Sequence, residues 1–429
     1  MSHAMALLRR RLGFLEALSV NIGEVVGSGI YMFPSLIFAL VGAGGSIFVW
    51  VLMGITALFE ALILMIYPYL YPDAGGWYVY LREGLPGELG GLTAFLFGWY
   101  NLFLLPASTA AIAVGFSSYL NDLLNIPNGV VILASALTLI LALANVIGVE
   151  IGGKLSVLLT ILKIIPLLVI GVAGLLIGRL SRLNLSDFRV SGLGLGMMMA
   201  WFTYSGFDAS VPLAEETKDG KRRVPLSLPV TVIAVMVLYM LVVLSVMVSL
   251  PPGVLAKSNA PLLDEGKTLG GWGLLVAILG ASLSMAGACA SEIISRPRVI
   301  YAMSRDRQFI SKFSIVHGKF STPYASILLY TFLTLIYELS GSYVWLVEMV
   351  TIPTLLFSLI MYTGIFRLRK QFSLPRPFNS LGHPATTSIV LAVYSYVIYS
   401  LFLEDPFTSI LSLIIVFTGI PFYILWRRR

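Results

Sequence analysis

Two short stretches of this sequence hold the residue types that most readily leave helical geometry, each inside an apolar run: Gly27-Ser28-Gly29 and Ser205-Gly206-Phe207-Asp208. A helix interrupted at such a point presents unpaired amide N–H groups at the start of one half and carbonyl oxygens at the end of the other. Those ends carry partial charges of opposite sign. The N–H groups of Ser28, Gly29 and Ile30 suit a carboxylate, which glycine lets approach the backbone. The carbonyls of Phe202, Thr203 and Ser205 suit an ammonium. An α-amino acid carries both groups on one carbon, so the two interruptions together describe a site for its zwitterionic end. The plainer alternative is that the glycines only allow close helix packing, as pairs of small residues do.

The elements that position these residues follow from composition. Of the 429 residues, 58% are hydrophobic and 11% charged, whereas a soluble domain holds roughly 25% charged residues to wet its surface. Lipid must therefore solvate most of the chain. Apolar stretches of about 20 residues, the length that crosses a bilayer, run at 13–41, 45–67, 90–120, 129–147, 152–178, 192–214, 226–250, 271–295, 323–340, 343–366, 384–403 and 407–426. Continuous runs satisfy their own backbone as helices rather than as alternating barrel strands. The expected fold is an all-α integral membrane protein of twelve transmembrane helices.

The interruptions fall in the first and sixth spans, the same place in two five-helix halves. That is the pattern of an inverted repeat with its site at the membrane midplane. The divisions read from the sequence are a leading segment 1–12, a first repeat 13–178, a second repeat 192–366, two extra helices in 384–426 and a tail 427–429.

Orientation follows from the 28 Lys and Arg residues, because positive charge near short loops stays in the cytoplasm. Arg9–Arg11, Arg82, Lys154, the cluster from Lys218 to Arg223, the loop 296–322, Arg367 to Arg376 and Arg427–Arg429 all fall on one side. Arg179, Arg182, Arg189, Lys257 and Lys267 fall on the other. Both termini are expected in the cytoplasm of a cell whose plasma membrane holds the chain, and the basic charge reports topology rather than nucleic-acid binding. The run after Arg9–Arg11 reads as a first helix, not a signal peptide, since a multi-span body follows it.

Several chemistries lack the residues they need. Gly148 to Lys154 imitates a phosphate loop, but Leu155 follows where Ser or Thr is required, and the stretch lies between two apolar runs. His3, His317 and His383 are scattered, so no metal cluster or catalytic set is visible, and Cys289 stands alone within a span. Neither an enzyme, a cofactor nor a metal is expected.

Four stretches carry a resemblance. Ile22-Gly23-Glu24-Val25-Val26-Gly27-Ser28-Gly29-Ile30-Tyr31 resembles the first-span signature of amino acid–polyamine–organocation transporters, and the segment from Pro72 to Glu83 resembles the Pro-x-x-Gly-Gly-x-Tyr stretch after their second span. Phe202 to Asp208, followed by Glu215-Glu216, and Arg298 to Asp306 are similar to their sixth-span motif and the loop after the eighth. The resemblance points to the L-type and cationic amino acid branch. It implies the leucine-transporter fold: a ten-helix inverted-repeat core with two extra helices, broken helices one and six, and alternating access around them.

By position, the resemblance implies that Val25, Ser28, Gly29 and Ile30 hold the substrate carboxylate and Phe202, Thr203 and Ser205 the amine. Trp201 and Phe207 fall where the family places aromatic gates, with Asp208 beside them. The expected partners are a small-molecule substrate, lipid and possible coupling protons, with no obligate protein partner.

Lys163 and Glu24 concern coupling. A charged side chain at mid-span costs about 2.5–3.5 kcal/mol even on a permissive insertion scale. Sodium-coupled relatives of this fold hold Na⁺ between spans one and eight, and several sodium-independent members place a span-five lysine there, which Lys163 matches. Its ammonium would replace the metal or carry a proton. Glu24 departs from the small or amide residue common in relatives. Three readings stay open: a pair with Lys163, a pocket carboxylate that with Asp208 favours cationic side chains, or a protonated carboxyl bonded to backbone. Glu60 is out of register with the family's span-two glutamate and receives no role.

Function is thereby expected to be secondary active transport of L-amino acids, Na⁺-independent, by exchange or proton symport. A carrier of polyamines or cationic amines, or a sensor or channel of the same fold, is the alternative.

Overall fold

The computed structural model describes residues 10–427 except 125, 259, 340–342, 376, 380 and 381. Most of the leading segment, the last two arginines and Arg376 therefore lie outside the described residues, as does the part of the orientation argument that rests on them. Among the described residues no strand forms, and nine helical runs are long and apolar enough to cross a bilayer, with Tyr324–Glu338 a shorter apolar helix. Their outward faces are apolar: Ile140, Leu176 and Val237 are 64%, 81% and 68% exposed. Apolar exposure on that scale is what a lipid solvent permits and water does not.

Each apolar stretch is helical over most of its length, but the breaks decide the shape. The first run is divided into Phe14–Val25 and a helix beginning at Gly29. That second helix turns at Gly42 (φ 78°) before continuing to Leu64. The turn leaves helix-end carbonyls to satisfy, and Arg189 supplies donors to Ala39 O at 2.8 Å and Phe38 O at 3.1 Å. The sixth run is helical over Leu193–Tyr204, leaves helical geometry from Ser205, and resumes as a short 3₁₀ turn at Val211–Glu216.

The stretches taken as loops are more ordered than the sequence suggests. Pro297–Arg305 is helical within 296–322, Pro261–Thr268 within 251–270, and Trp77–Gly84 follows Gly75-Gly76. Proline at the first helical position explains two of these starts, since its missing N–H is one the helix would leave unpaired anyway.

The helix Gly271–Ser295 packs against Val149–Ile177 and Leu105–Leu124. Its Ala281, Ser284, Ala288 and Ser291 are fully buried and small enough for backbones to approach. Trp50, Tyr204 and Tyr239 form an aromatic knot, with ring centroids 5.2–5.9 Å apart, behind the two breaks.

One face is closed by charge. Arg298 and Glu216 are fully buried and paired at 2.8 Å, Arg305 meets Glu215 at 3.0 Å, and the Ala74 N–H donates to Glu215 at 3.0 Å. The segment ahead of the first helix is tied to the same place: Arg11 and Leu12 donate to Glu216 O at 2.9 and 3.1 Å, and Lys218 N–H donates back to Leu12 O at 2.8 Å.

Candidate functional site

The two breaks face each other at the closest range their residues allow. A Cβ at Gly29 would stand 2.6 Å from Thr203 Oγ1, and one at Gly206 would stand 2.8 Å from Glu24 Cγ. Gly206 has φ 95°, which an L side chain rarely adopts. Tyr239, on the helix Gly220–Ser249, points its hydroxyl at both broken ends, 2.8 Å from Val25 O and 3.2 Å from Thr203 O.

A cavity of about 960 Å³, its mouth included, surrounds this meeting point. Of the residues singled out from the sequence, Glu24, Val25, Ser28, Gly29, Trp201, Phe202, Thr203, Ser205, Phe207 and Asp208 line it. Ile30 does not; its side chain is fully buried behind the wall. Gly29 and Ile30 open their helix, where amides have no intrahelical acceptor, while Tyr31 N–H already bonds Ser28 O at 3.1 Å. On the opposite break, Phe202 O accepts from Ser205 N–H at 3.2 Å and Thr203 O from Tyr239. Each carbonyl keeps a second lone pair. The hydroxyls of Thr203 and Ser205 turn back to their own helix, donating to Met199 O and Trp201 O, both at 2.8 Å.

Lys163 lies behind the cavity, fully buried. Its ammonium donates to Gly23 O, to Val26 O at 2.8 Å and to Ser284 O at 3.5 Å. Ser284 Oγ donates to the same Val26 oxygen at 2.7 Å. The lysine thus caps the frayed end of Phe14–Val25 and joins it to Gly271–Ser295.

Glu24 does not pair with Lys163, which corrects one of the three readings of that carboxylate. It pairs with Arg296, and Ser295 Oγ donates to it at 3.4 Å. The lysine is taken up by backbone oxygens, so it has no need of the carboxylate.

Further cavity residues escaped the sequence reading, among them Arg296, Glu292, Glu60 and Trp77. Arg296 counts in the sequence as one more positive loop residue, yet it lines the cavity. Glu292 lines it too, accepting from Ser108 at 3.0 Å and from Thr109, with Arg296 at 3.7 Å. An acidic residue inside the apolar run 271–295 was the signal available for it. Glu60, given no role, also lines the cavity and accepts hydroxyls from Tyr362 and Tyr394. Trp77 donates its indole N–H to Asp208. Apart from Arg296, four positions after Glu292, none of these partners is near its carboxylate in sequence.

A helical bundle with two interrupted helices meeting at an internal cavity defines a multi-pass membrane protein. The chain belongs to the amino acid permease family, whose model matches residues 12–426. It is 28% identical to the serine/threonine exchanger SteT of Bacillus subtilis strain 168, over 98% of both chains. It is 27% identical to the human cystine/glutamate transporter, over 98% of this chain and 87% of the relative. Identity to the human Asc-type amino acid transporter 1 is 25%, over 98% and 84%.

Proposed function

We propose that this chain carries L-amino acids across the cell membrane by alternating access, without Na⁺, by exchange or with a coupled proton. The observation that carries the reading is the meeting of the two breaks in one cavity, which brings helix-opening amides and helix-closing carbonyls to a single place. In this reading Val25, Ser28, Gly29 and Ile30 hold the substrate carboxylate, Ile30 through its backbone, and Phe202, Thr203 and Ser205 receive the ammonium. Trp201, Phe207 and Asp208 gate the cavity. The chain spans the membrane twelve times, as two inverted five-helix repeats and two further helices, with both termini cytoplasmic and no obligate protein partner.

Independence from Na⁺ is supported by Lys163, whose ammonium lies among three carbonyl oxygens from two helices, the ligand type a monovalent metal ion would otherwise require. The kinship with an exchanger and with amino acid transporters agrees with the substrate class.

A second reading, transport of cationic amino acids or polyamines, is favoured by charge: Glu24, Glu60, Asp208 and Glu292 line the cavity together with Arg296.

One assay tests both. The purified protein in liposomes is given labelled serine, leucine, glutamate, arginine or putrescine, with the interior empty or preloaded with the same compound, and with or without Na⁺ and proton gradients. Uptake only into preloaded vesicles identifies exchange, and uptake driven by a proton gradient identifies symport. Arginine or putrescine moving in place of neutral amino acids selects the second reading. No movement of any compound overturns the proposal.

A further inference from the structure

The cavity at the two breaks does not end at its floor. A second, smaller cavity of about 270 Å³ lies beyond it, lined by Ala209, Pro212, Ser295 and Val299, and the two share Trp77, Phe97, Asp208 and Arg296 as a common wall. The smaller cavity's lining residues Pro212 and Val299 lie on the same short elements, Val211–Glu216 and Pro297–Arg305, that carry the Glu216–Arg298 and Glu215–Arg305 pairs. The wall is held by two contacts: Trp77 to Asp208, and Glu24 to Arg296.

The Glu24 contact joins the moving parts. Glu24 is the penultimate residue of Phe14–Val25, next to the first break, and its stem abuts Gly206 of the second. Arg296 directly follows Gly271–Ser295. Neither break can be displaced without carrying Glu24 along or separating it from Arg296. Glu24 is nearly buried, at 5% side-chain exposure, and separating a pair of this kind without compensation is costly. Compensation is at hand, because Glu292 Oε1 is 3.7 Å from the same guanidinium nitrogen.

Resting on the transport reading above, we infer that Arg296 is a gating residue: its pair with Glu24 bars passage from the substrate cavity to the smaller one, and the barrier opens when Arg296 passes from Glu24 to Glu292.

The test reads accessibility, which does not depend on knowing the substrate. Ala209→Cys places a thiol in the smaller cavity once Cys289, the chain's single cysteine, is replaced by serine, and a membrane-impermeant maleimide is applied from the side on which the substrate cavity opens. With the native pair, labelling is slow. Glu24→Gln and Arg296→Gln each raise the rate about tenfold, the change expected for a shift of one decade in the open population. The exchanged pair Glu24→Arg with Arg296→Glu restores slow labelling, and Arg296→Lys stays close to the parent. Glu292→Gln lowers the rate below the parent because the alternative acceptor is weakened. Equal labelling with and without the pair, or failure of the exchanged pair to restore protection, overturns the inference. Because labelling is read without transport, a protein that moves no amino acid but shows this pattern refutes the transport reading and leaves the gate standing. Two neutralising variants on different helices keep the test decisive if one of them does not fold.

Discussion

Lys163 donates to the carbonyl oxygen of Val26 at 2.8 Å, just where the first helix comes apart. The backbone oxygens freed by the break are deep in the protein, and an unsatisfied buried acceptor costs about 1–3 kcal/mol. The lysine therefore stabilises the break.

Lys163→Ala is expected to lower the stability of the detergent-purified protein by about 2–5 kcal/mol, since Gly23 O loses its side-chain donor, Val26 O keeps only Ser284, and a cavity remains. Lys163→Gln should recover part of this loss, because an amide donates to one or two of the same oxygens. Thermal unfolding followed by tryptophan fluorescence checks the order wild type, Gln, Ala. If the alanine variant melts with the wild type, the lysine is not holding the break.

Gly29→Ala should impair uptake by putting a methyl group against Thr203. Overpacking of this kind costs about 1–3 kcal/mol. Thr203→Ala removes Oγ1, the nearest atom in conflict, and Cγ2, so the double variant should recover more uptake than the two single losses would give if they added. A double-mutant cycle on initial rates measures the coupling, and simple additivity would count against contact between the breaks.

Gly206→Ala meets two obstacles, a positive φ and the stem of Glu24. A loss of about 1–3 kcal/mol is expected from the backbone alone. Glu24→Gly relieves the contact but not the dihedral, so Gly206→Ala should cost less, though not nothing, when introduced into Glu24→Gly than into the native chain, as paired thermal melts read.

Arg298 and Glu216 form a fully buried pair. Removing one partner, as in Arg298→Met, should cost about 3–5 kcal/mol, whereas replacing both by apolar residues of similar volume should come close to neutral. Thermal melts of Arg298→Met, Glu216→Leu and the double variant decide this. A double variant as unstable as the worse single one would contradict it.

The sequence revealed these parts unevenly, and the differences have physical causes. Gly27-Ser28-Gly29 and Ser205-Gly206 were legible because helix-breaking residues inside an apolar run are a local signal. Lys163 was legible because a lone charge in such a run demands compensation. The partner of Glu24 was not, since Arg296 lies 272 positions away and looks like any other positive residue near a membrane edge. Glu60 was missed for the same reason: Tyr362 and Tyr394 reach it only after the chain has folded. The helices at Trp77–Gly84 and Pro297–Arg305 are short and polar enough to pass for loops in a hydropathy reading.

The small parallel pairing of Arg11 and Leu12 with the segment from Glu216 to Lys218 has a mechanical meaning. It fastens the root of the first broken helix to the strand of chain that leaves the second, as a hinge pin fastens two leaves. Pulled at this end, the two helices must travel as one body, so a bulky fusion joined directly ahead of Arg11 would load both at once. A spacer of flexible residues before the fusion would free them.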